Sequence, residues 1–421
     1  MLGMKILHIT AQKPDGTGSG VYLSELVNAC ARAGVDQAVV AGIGPEDRPS
    51  FPPGTRFVPV RFETDGVPFP VVGMSDEMPY RSTRYRDMDA SMVRLFDAAF
   101  TRAVLDAVEG LHPDVVICHH LYLLTALVRD LLPSVPVVAV CHSTDVRQMR
   151  QHDLERDRIL NAMRRLDAVL ALHEAQKSSL EEVYGIEGRR IHVVGTGFNC
   201  SVFNGRAFEE GEGGVACRPG KRSGGSAIEM VFAGKITGKK GVPSLLRALD
   251  LLPYGPDGLR LSLAGGHAGE SEYRAIRALA QLSRYDVAFL GKLSQPDLAR
   301  VYCCADVFVL PSFFEGLPLV VVEALACGCS VVVSDLPGIR PWIEAHIPGA
   351  PVWYVMPPRF RDADEPVSDD LPAFERRLAN ALCQAASADA APCSPAHLSW
   401  DALAGRVVSL CSKLLLDRQA H

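Results

Sequence analysis

Two carboxylates lie eight residues apart in the second half of the chain. Glu315 precedes a glycine in PSFFEGLP, and Glu323 falls within LVVVEALAC. An apolar run (VFVL) comes before this stretch and another (SVVVSD) after it, which predicts one strand–loop–helix–strand unit. The loop then lies at the carboxyl end of its first strand, where open parallel sheets bind ligands. Glu323 is expected about one turn into the helix.

The start of that helix is suited to a phosphate, because loop and helix N–H groups are available there and the helix dipole is positive. A carboxylate would repel the phosphate itself, but it can accept hydrogen bonds from hydroxyl groups on either side. A nucleotide sugar has this layout, with ribose hydroxyls, a diphosphate and hexose hydroxyls in series. The spacing alone is equally compatible with a solvated loop glutamate and a helix glutamate placed for the dipole.

Two lysines follow another predicted strand. EMVFAGKI precedes TGKKGVPSLLRALDLL, which reads as loop and helix, and Lys235 and Lys240 lie between Gly234 and Gly241. Two cations at the carboxyl end of a strand suit a diphosphate and the charge of its leaving group. Alone they could equally be exposed loop lysines, and the glutamate pair downstream favours a functional interpretation.

The first half opens with a similar unit. MKILHIT predicts a buried strand, AQKPDGTGSG a loop, and VYLSELVNACARAG a helix that leads to a second strand at Val39. Glycines let a ligand approach the backbone closely. They alternate here and do not form G-x-G-x-x-G, so a dinucleotide-binding fingerprint is absent and a flexible turn stays the alternative.

Histidines mark two further predicted strand ends. HPDVVICHHLYLL predicts a strand that ends at His119 and His120, and VPVVAVCHSTD a strand followed by His142 and Asp145. A lone histidine is usually structural, whereas three near strand ends in one half favour a functional site.

Two segments are candidates for the acceptor side. Residues 51–90 are rich in proline, glycine and charge, which predicts short strands and a long loop. Residues 147–165 predict one helix with six arginines among acids. Its charges either form a solvated face with i,i+4 pairs, or contact an anionic acceptor or, weakly, a membrane surface.

The stretch EGLPLVVVEALACGCSVVVSD resembles the signature of the retaining GT-B glycosyltransferases of group 1 (family 4). The resemblance implies that Glu323 holds the ribose and that Glu315 faces the donor sugar. It also implies that backbone amides meet the diphosphate, namely those of Gly316, Leu317 and Leu319. Pro318 has no N–H and cannot donate.

Other stretches fit the family more loosely. Ser19-Gly20 matches its paired-glycine loop, with serine in the first position. A count of five residues from Asp114 makes His119 the histidine that contacts the donor sugar, and His120 is the competing assignment.

The family's arginine and lysine fall on Lys235 and Lys240, and Gly234 precedes them in the donor-binding loop. Lysine at 235 keeps the charge but loses the bidentate fork of arginine. The loop along the nucleobase corresponds to Gly291, Lys292 and Leu293. We expect His119, Lys235, Lys240 and Glu315 to take part in catalysis and the others to bind the donor.

The expected fold is α/β, with two doubly wound, Rossmann-like domains facing a cleft. Residues 1–203 form the acceptor-side domain, completed by a C-terminal helix at about 400–421. Residues 204–227 form a glycine-rich linker, and 228–399 bind the nucleotide sugar.

The expected reaction is transfer of a hexose from a nucleotide sugar, first of all a UDP-sugar, to an acceptor hydroxyl. The acceptor would be a glycan, a lipid-linked molecule or a small molecule. The resemblance implies retention at the anomeric carbon. Cell-surface glycan synthesis would be one setting for it. Asp-x-Asp occurs at Asp87/Asp89 and Asp362/Asp364, but neither follows an apolar strand, so we expect no metal and no cofactor. The alternative is a non-catalytic two-domain relative that binds a nucleotide sugar. The cations beside the carboxylates argue against a hydrolase, and the missing fingerprint against a dehydrogenase.

Length and composition limit the number of domains, the kinds of partner and the cellular compartment. A length of 421 residues suggests two or three domains, and a net charge of -6 gives no basic footprint for nucleic acid. The twelve cysteines show no pairing framework, which favours reduced thiols in the cytoplasm. The N-terminus lacks the pattern of a signal peptide, and no stretch of about 18 apolar residues occurs.

Overall fold

The structure is a computed structural model that describes residues 3–14, 16–75, 78–205, 227–267, 269–361, 365–388, 393 and 395–419. The chain divides into two compact units, Met1–Gly197 with Trp400–His421, and Phe198–Ser399. The predicted linker, 204–227, and the pair Asp362/Asp364 lie almost wholly outside the described residues.

The first unit is built on parallel strands. Its strands are β1 (Lys5–Thr10), β2 (Asp36–Ile43), β3 (Arg56–Arg61), β4 (Val72–Gly73), β5 (Thr83–Arg84), β6 (Val115–His119), β7 (Val137–Val140), β8 (Ala168–Ala171) and β9 (Ile191–Val193). Seven of them form one parallel sheet in the order β3-β2-β1-β6-β7-β8-β9, and β4 pairs with β5. The central strands are mostly apolar and almost entirely buried, as expected for parallel strands covered by helices on both faces.

The helices of this unit connect the strands. They are α1 (Gly18–Arg32), α2 (Ala90–Leu111), α3 (Leu123–Leu131), α4 (Thr144–Gln151), α5 (Arg156–Met163) and α6 (Glu174–Tyr184). The prediction of one helix over 147–165 is wrong, because α4 ends before His152 and α5 starts at Arg156 after Glu155 in a left-handed conformation, φ 48°. A residue with positive φ interrupts the helical hydrogen-bond ladder.

The second unit repeats the architecture. Its strands are β10 (Ile228–Ala233), β11 (Leu259–Ala264), β12 (Asp286–Gly291), β13 (Val307–Leu310), β14 (Ser330–Ser334) and β15 (Val352–Val355), in the parallel order β12-β11-β10-β13-β14-β15. Its helices are α7 (Val242–Leu249), α8 (Glu270–Gln281), α9 (Gln295–Cys304), α10 (Leu319–Ala326), α11 (Ile339–His346) and α12 (Leu371–Ser387). The last helix, α13 (Trp400–Gln419), packs on α1 of the first unit.

The prediction of two doubly wound α/β domains is confirmed for each unit by itself. In both sheets the strand order reverses beside the first strand, so β1 and β6, and β10 and β13, are neighbours. Loops that leave such neighbours form the ligand-binding edge of an open parallel sheet. The predicted site residues follow these strands.

Ten cysteines in the described ranges are free thiols, as the expectation of reduced cysteines requires. Cys304 departs from it, since it is disulfide-bonded. No helix in the described part of the chain has the length and apolarity needed to cross a bilayer.

Candidate functional site

In the second unit, two loops at the carboxyl ends of adjacent strands pack against each other. After β10 the chain makes a 3-10 turn, Gly238–Lys240, and then Gly241 at φ 71°. A Cβ at Gly241 would lie 2.0 Å from the carbonyl oxygen of Pro311, in the loop after β13. Phe313 N–H also donates to the Lys239 carbonyl at 2.9 Å. Glycine is therefore required there, and the two loops hold a fixed register.

This packing joins two of the predicted site residues. Lys240 Nζ lies 2.6 Å from Glu315 Oε1, with 26% and 13% of the side chains exposed. An ammonium group has three N–H donors, so Lys240 can hold the carboxylate and still donate to a second anion. The two loops therefore place a cation and a carboxylate side by side.

Backbone hydrogen bonds also tie the loop after β10 to the ends of β11 and β12. Gly234 N–H donates to the Ala264 carbonyl at 2.9 Å, and Gly265 N–H to the Gly291 carbonyl at 2.7 Å. A Cβ at Gly265 would lie 1.8 Å from the Gly234 carbonyl oxygen, and a Cβ at Gly266 would meet the side chain of Lys292 at 3.1 Å. The loops after β10, β11 and β12 therefore form one layer.

The other predicted residues of this unit lie at the same edge. Lys235 follows Gly234 in the loop after β10, and Lys292 and Leu293 connect β12 to α9. Gly291 is the last residue of β12 rather than a loop residue, with φ 69°. Gly316 and Leu317 precede Pro318, the N-cap of α10, and Leu319 is the first helical residue.

Glu323 occupies the second turn of α10, one turn in as expected. It is buried, with 8% of the residue exposed. Its charge adds to burial in raising the pKa of Tyr302 well above the usual value, so the carboxylate lies close to that phenol of α9. The structure thus places Glu315 and Glu323 on one strand–loop–helix segment, with Lys240 beside the first.

In the first unit, α1 begins earlier than predicted. Helical structure starts at Gly18, so Ser19 and Gly20 lie in the first turn rather than in a loop. The cause is Thr17, whose hydroxyl accepts from Gly20 N–H at 3.1 Å and caps the helix. The Gly20 amide is already used by this cap.

The histidines after β6 and β7 form a buried group. His119 Nδ1 lies 3.4 Å from His142 Nε2, with the two rings nearly parallel and 5.6 Å between centroids. His120 Nδ1 lies 2.8 Å from Asp145 Oδ1. The His119 Nε2 atom is buried and has no hydrogen-bond partner among the described residues. The two histidines that compete as the donor contact therefore have different surroundings.

Burial dominates the electrostatics of this group. Burial and the neighbouring His120 together lower the pKa of His142 to about 3, although Asp145 opposes the shift. Burial, with a smaller effect of the neighbouring histidines, lowers the pKa of His119 well below the usual value. Burial by itself would raise the pKa of Asp145, but His120 and the other donors lower it to about 2. At neutral pH, His119 and His142 are uncharged and Asp145 is ionised.

Sequence reasoning missed Tyr22 and Gln12, which contact the histidines, and Trp400, which packs on Tyr22. Tyr22 of α1 packs edge-on against His142 at 5.1 Å and against Trp400 of α13 at 5.3 Å, and Gln12 contacts His120. The position of Gln12, two residues after β1, is the only signal that could have found any of them.

The arginines of 147–165 are engaged within the first unit. Arg158 pairs with Asp97 at 2.7 Å, and Arg150 with Glu182 at 2.9 Å. Arg165 pairs with Asp130, and Arg156 donates to the Met149 carbonyl. These contacts favour the interpretation of a solvated, ion-paired face over contact with an anionic acceptor or a membrane. Most of the partners, however, are not four residues away on the same helix. In the described ranges, no cluster of three or more His, Cys, Asp or Glu side chains is arranged to hold a metal ion.

Comparisons with known proteins agree with this layout. A family model described as "Glycosyl transferases group 1" matches residues 227–364, and one described as "Glycosyltransferase Family 4" matches 16–202. A D-inositol 3-phosphate glycosyltransferase of Pseudarthrobacter chlorophenolicus is 26% identical over 345 residues, which cover 77% of this chain and 76% of that protein.

Solved structures share the fold. Sucrose-phosphate synthase from Thermosynechococcus elongatus superposes with a TM-score of 0.68 at 19% identity, over 98% of this chain and 100% of that one. The Anabaena protein HepE in complex with UDP-glucose gives a TM-score of 0.61 at 14% identity, over 97% and 100%.

The two family models together match about three quarters of the chain, one on each unit, and the relatives found are glycosyltransferases. The chain is a glycosyltransferase and belongs to the group 1, family 4 glycosyltransferases of GT-B fold.

Proposed function

We propose that the protein transfers a hexose from a nucleotide sugar to an acceptor hydroxyl, with retention at the anomeric carbon and without a metal ion. The observation that carries this proposal is the pairing of Lys240 with Glu315 at 2.6 Å, at the edge where the second sheet presents its loops. Lys240 is a cation suited to a diphosphate, and Glu315 beside it can accept hydrogen bonds from sugar hydroxyls. Retention is what membership of the family implies.

In the reaction, the bond from the anomeric carbon to the diphosphate oxygen breaks, a bond to the acceptor oxygen forms, and the proton of the acceptor hydroxyl leaves with the diphosphate. Negative charge grows on the departing diphosphate. Lys235, Lys240 and the backbone amides of Gly316, Leu317 and Leu319 stabilise that charge, and fixed donors aimed at developing charge lower the barrier most effectively. Glu323 holds the ribose, and Glu315 accepts a hydrogen bond from the hexose. His119 is the histidine that meets the donor sugar.

A UDP-sugar is the first donor to test. The Anabaena neighbour binds UDP-glucose, and several curated relatives are named for D-inositol 3-phosphate as acceptor. The end of β12 at Gly291 and the loop that follows, which the family lays along the nucleobase, would contact it through the backbone, and such contacts do not discriminate strongly between bases.

The proposal places the reaction in the cytoplasm. The ten free thiols are consistent with a reducing compartment. Peripheral contact with the inner membrane face would have to use surfaces other than the ion-paired arginines of α4 and α5.

The test is to incubate the protein with UDP-, GDP- and ADP-hexoses, with and without D-inositol 3-phosphate, and to follow nucleoside diphosphate release. Release with a chelator present, and a product whose anomeric configuration matches the donor, is the expected result. Loss of release with the chelator would reject metal independence, and an inverted product would reject retention. Tight binding without any release would favour the non-catalytic relative.

A further inference from the structure

His120 is held by the protein at both ring nitrogens. Its Nδ1 lies 2.8 Å from Asp145 Oδ1, and its Nε2 lies 2.7 Å from the side-chain nitrogen of Gln12. An ionised carboxylate can only accept, so Nδ1 carries the proton and donates to Asp145. Nε2 then accepts from the Gln12 amide. Because both ring nitrogens are used, His120 has none left for a sugar hydroxyl.

Asp145 holds more than one loop. Its carboxylate is fully buried and also accepts from Leu121 N–H at 3.0 Å and His142 N–H at 3.2 Å. A buried carboxylate is costly unless its lone pairs are used, and three donors satisfy this one. Asp145 thus fastens the loop after β6 to the loop after β7.

Gln12 extends the connection to a third loop. It follows β1, and β1, β6 and β7 are adjacent in the sheet. The chain Gln12–His120–Asp145, here called the loop clamp, therefore ties together the carboxyl-end loops of three neighbouring strands.

The clamp holds an unusual backbone. His120 has φ 75° and Ser143 has φ 71°, both in the left-handed region that L residues avoid. Such a residue is strained and persists only where its surroundings fix it. His120 is anchored by the clamp and by its N–H, which donates to the Val140 carbonyl at 3.0 Å.

His119, one residue earlier, differs from His120 in the hydrogen bonding of its ring nitrogens. Its Nδ1 faces His142 Nε2, and its Nε2 has no partner in the described part of the chain. Of the two adjacent histidines, His119 alone has an unused ring nitrogen.

We propose that His120, Asp145 and Gln12 are positioning residues that hold the three loops around His119, and that His120 does not contact the substrate. This inference rests on the proposed function, because it assigns roles within that reaction.

The loop clamp predicts which ring nitrogen of His120 carries the proton and how this changes in a variant. In Asp145→Asn, the new amide can donate to His120 Nδ1 while its oxygen accepts from Leu121 and His142. His120 then carries its proton on Nε2 and donates to a rotated Gln12 amide. Geometry is kept and only the tautomer changes, which matters for a reacting imidazole and not for a positioning one.

The experiment compares kcat and donor KM for wild type, His119→Asn, His120→Asn, Asp145→Asn and Asp145→Ala. Asparagine at 120 keeps a donor to Asp145 and tolerates positive φ. We expect Asp145→Asn to stay within about threefold of wild type. His120→Asn loses the contact with Gln12 and should lower kcat roughly tenfold, clearly less than His119→Asn. Asp145→Ala and His119→Asn should lower kcat about 100-fold, the effect of misplacing or losing a reacting group.

Several outcomes would overturn the proposal. They are a loss in His120→Asn as large as in His119→Asn, a loss in Asp145→Asn as large as in Asp145→Ala, or wild-type turnover in Asp145→Ala. If Asp145→Ala does not fold, the two asparagine variants decide. Thermal unfolding of each variant, compared with that of the wild type, checks that the first unit is intact.

A failure of the proposed function is seen separately, as no turnover by the wild type with any donor. The clamp is then judged by the ¹⁵N resonances of the His120 imidazole. We expect the proton on Nδ1 in the wild type and on Nε2 in Asp145→Asn, and an unchanged tautomer would reject the clamp.

Discussion

Lys240 Nζ lies 2.6 Å from Glu315 Oε1, although 75 residues separate them in the chain. The contact exists because β10 and β13 are neighbours in the sheet and their loops interlock at Gly241 and Pro311. Each residue neutralises part of the other's charge before any substrate arrives. This relationship sets the direction of the first two predictions.

Lys240→Ala should lower kcat about 10²–10³-fold, because one fixed donor to the developing diphosphate charge is lost. Binding of the nucleoside diphosphate product should weaken much less. Steady-state kinetics with a UDP-hexose and calorimetry with UDP measure the two effects. Lys239→Ala is the control, since the hydrogen bond from Phe313 is accepted by the Lys239 backbone carbonyl, which the substitution keeps. Equal losses in the two variants would remove Lys240 from the site.

Glu315→Gln should strengthen UDP binding while it lowers transfer. The substitution removes a negative charge beside the phosphate site and leaves the charge of Lys240 for the ligand. An exposed or half-buried pair contributes up to about 1 kcal/mol, so UDP should bind roughly fivefold tighter. Calorimetry at low salt measures it, and weaker UDP binding in this variant would contradict the arrangement.

Glu323→Ala should weaken UDP binding by about 10- to 100-fold, because hydrogen bonds to a charged group contribute about 1.5–3 kcal/mol. Glu344→Ala, on the exposed side of α11, is the matched control and should bind as the wild type does. Unchanged affinity in Glu323→Ala would show that the ribose lies elsewhere.

Acid should destabilise the first unit through its buried histidines. Burial lowers the pKa of His8 from 6.5 to about 4, although Gln37 opposes the shift. The unfolded chain therefore binds a proton more readily than the folded one, so stability present above pH 6.5 is lost as the pH falls toward 4. His142, with a pKa of about 3, continues the loss, and Asp145 adds to it between 3.8 and about 2.

His8→Leu isolates this effect. At about 1.4 kcal/mol per pKa unit, the variant should gain roughly 3 kcal/mol of unfolding free energy relative to wild type between pH 7 and pH 4. Denaturant unfolding at a series of pH values measures the difference. Parallel curves for the two proteins would show that His8 does not titrate on unfolding.

Gly265→Ala should lower the Tm and abolish UDP binding, because its φ is 142° and a Cβ would lie 1.8 Å from the Gly234 carbonyl oxygen. The strand-end layer would have to open. Gly255→Ala is the control, since its φ is -67° and nothing lies within 4 Å of the added atom. A Tm for Gly265→Ala within a degree of that control would contradict the close packing of these loops.

Much of the site could be predicted because it is local in the chain. Glu315, Gly316 and Glu323 lie in one strand–loop–helix segment, and hydrophobic period and breakers are enough to define such a segment. The start of α1 was missed because the side chain of Thr17 caps Gly20, and the break between α4 and α5 because Glu155 adopts a positive φ. Both depend on one side chain or one backbone angle that the hydrophobic pattern does not encode.

The sequence by itself determined the two α/β halves and the glutamates and lysines at strand ends, because the alternation of apolar runs and loops is a local pattern that can be recognised in the sequence. It also carried the resemblance to the glycosyltransferase family. Only the tertiary structure decided which strands are neighbours, and therefore that Lys240 meets Glu315 and that Gln12, His120 and Asp145 form one chain of hydrogen bonds. The choice between His119 and His120 depends on such long-range contacts, since adjacent identical residues differ only in what surrounds them.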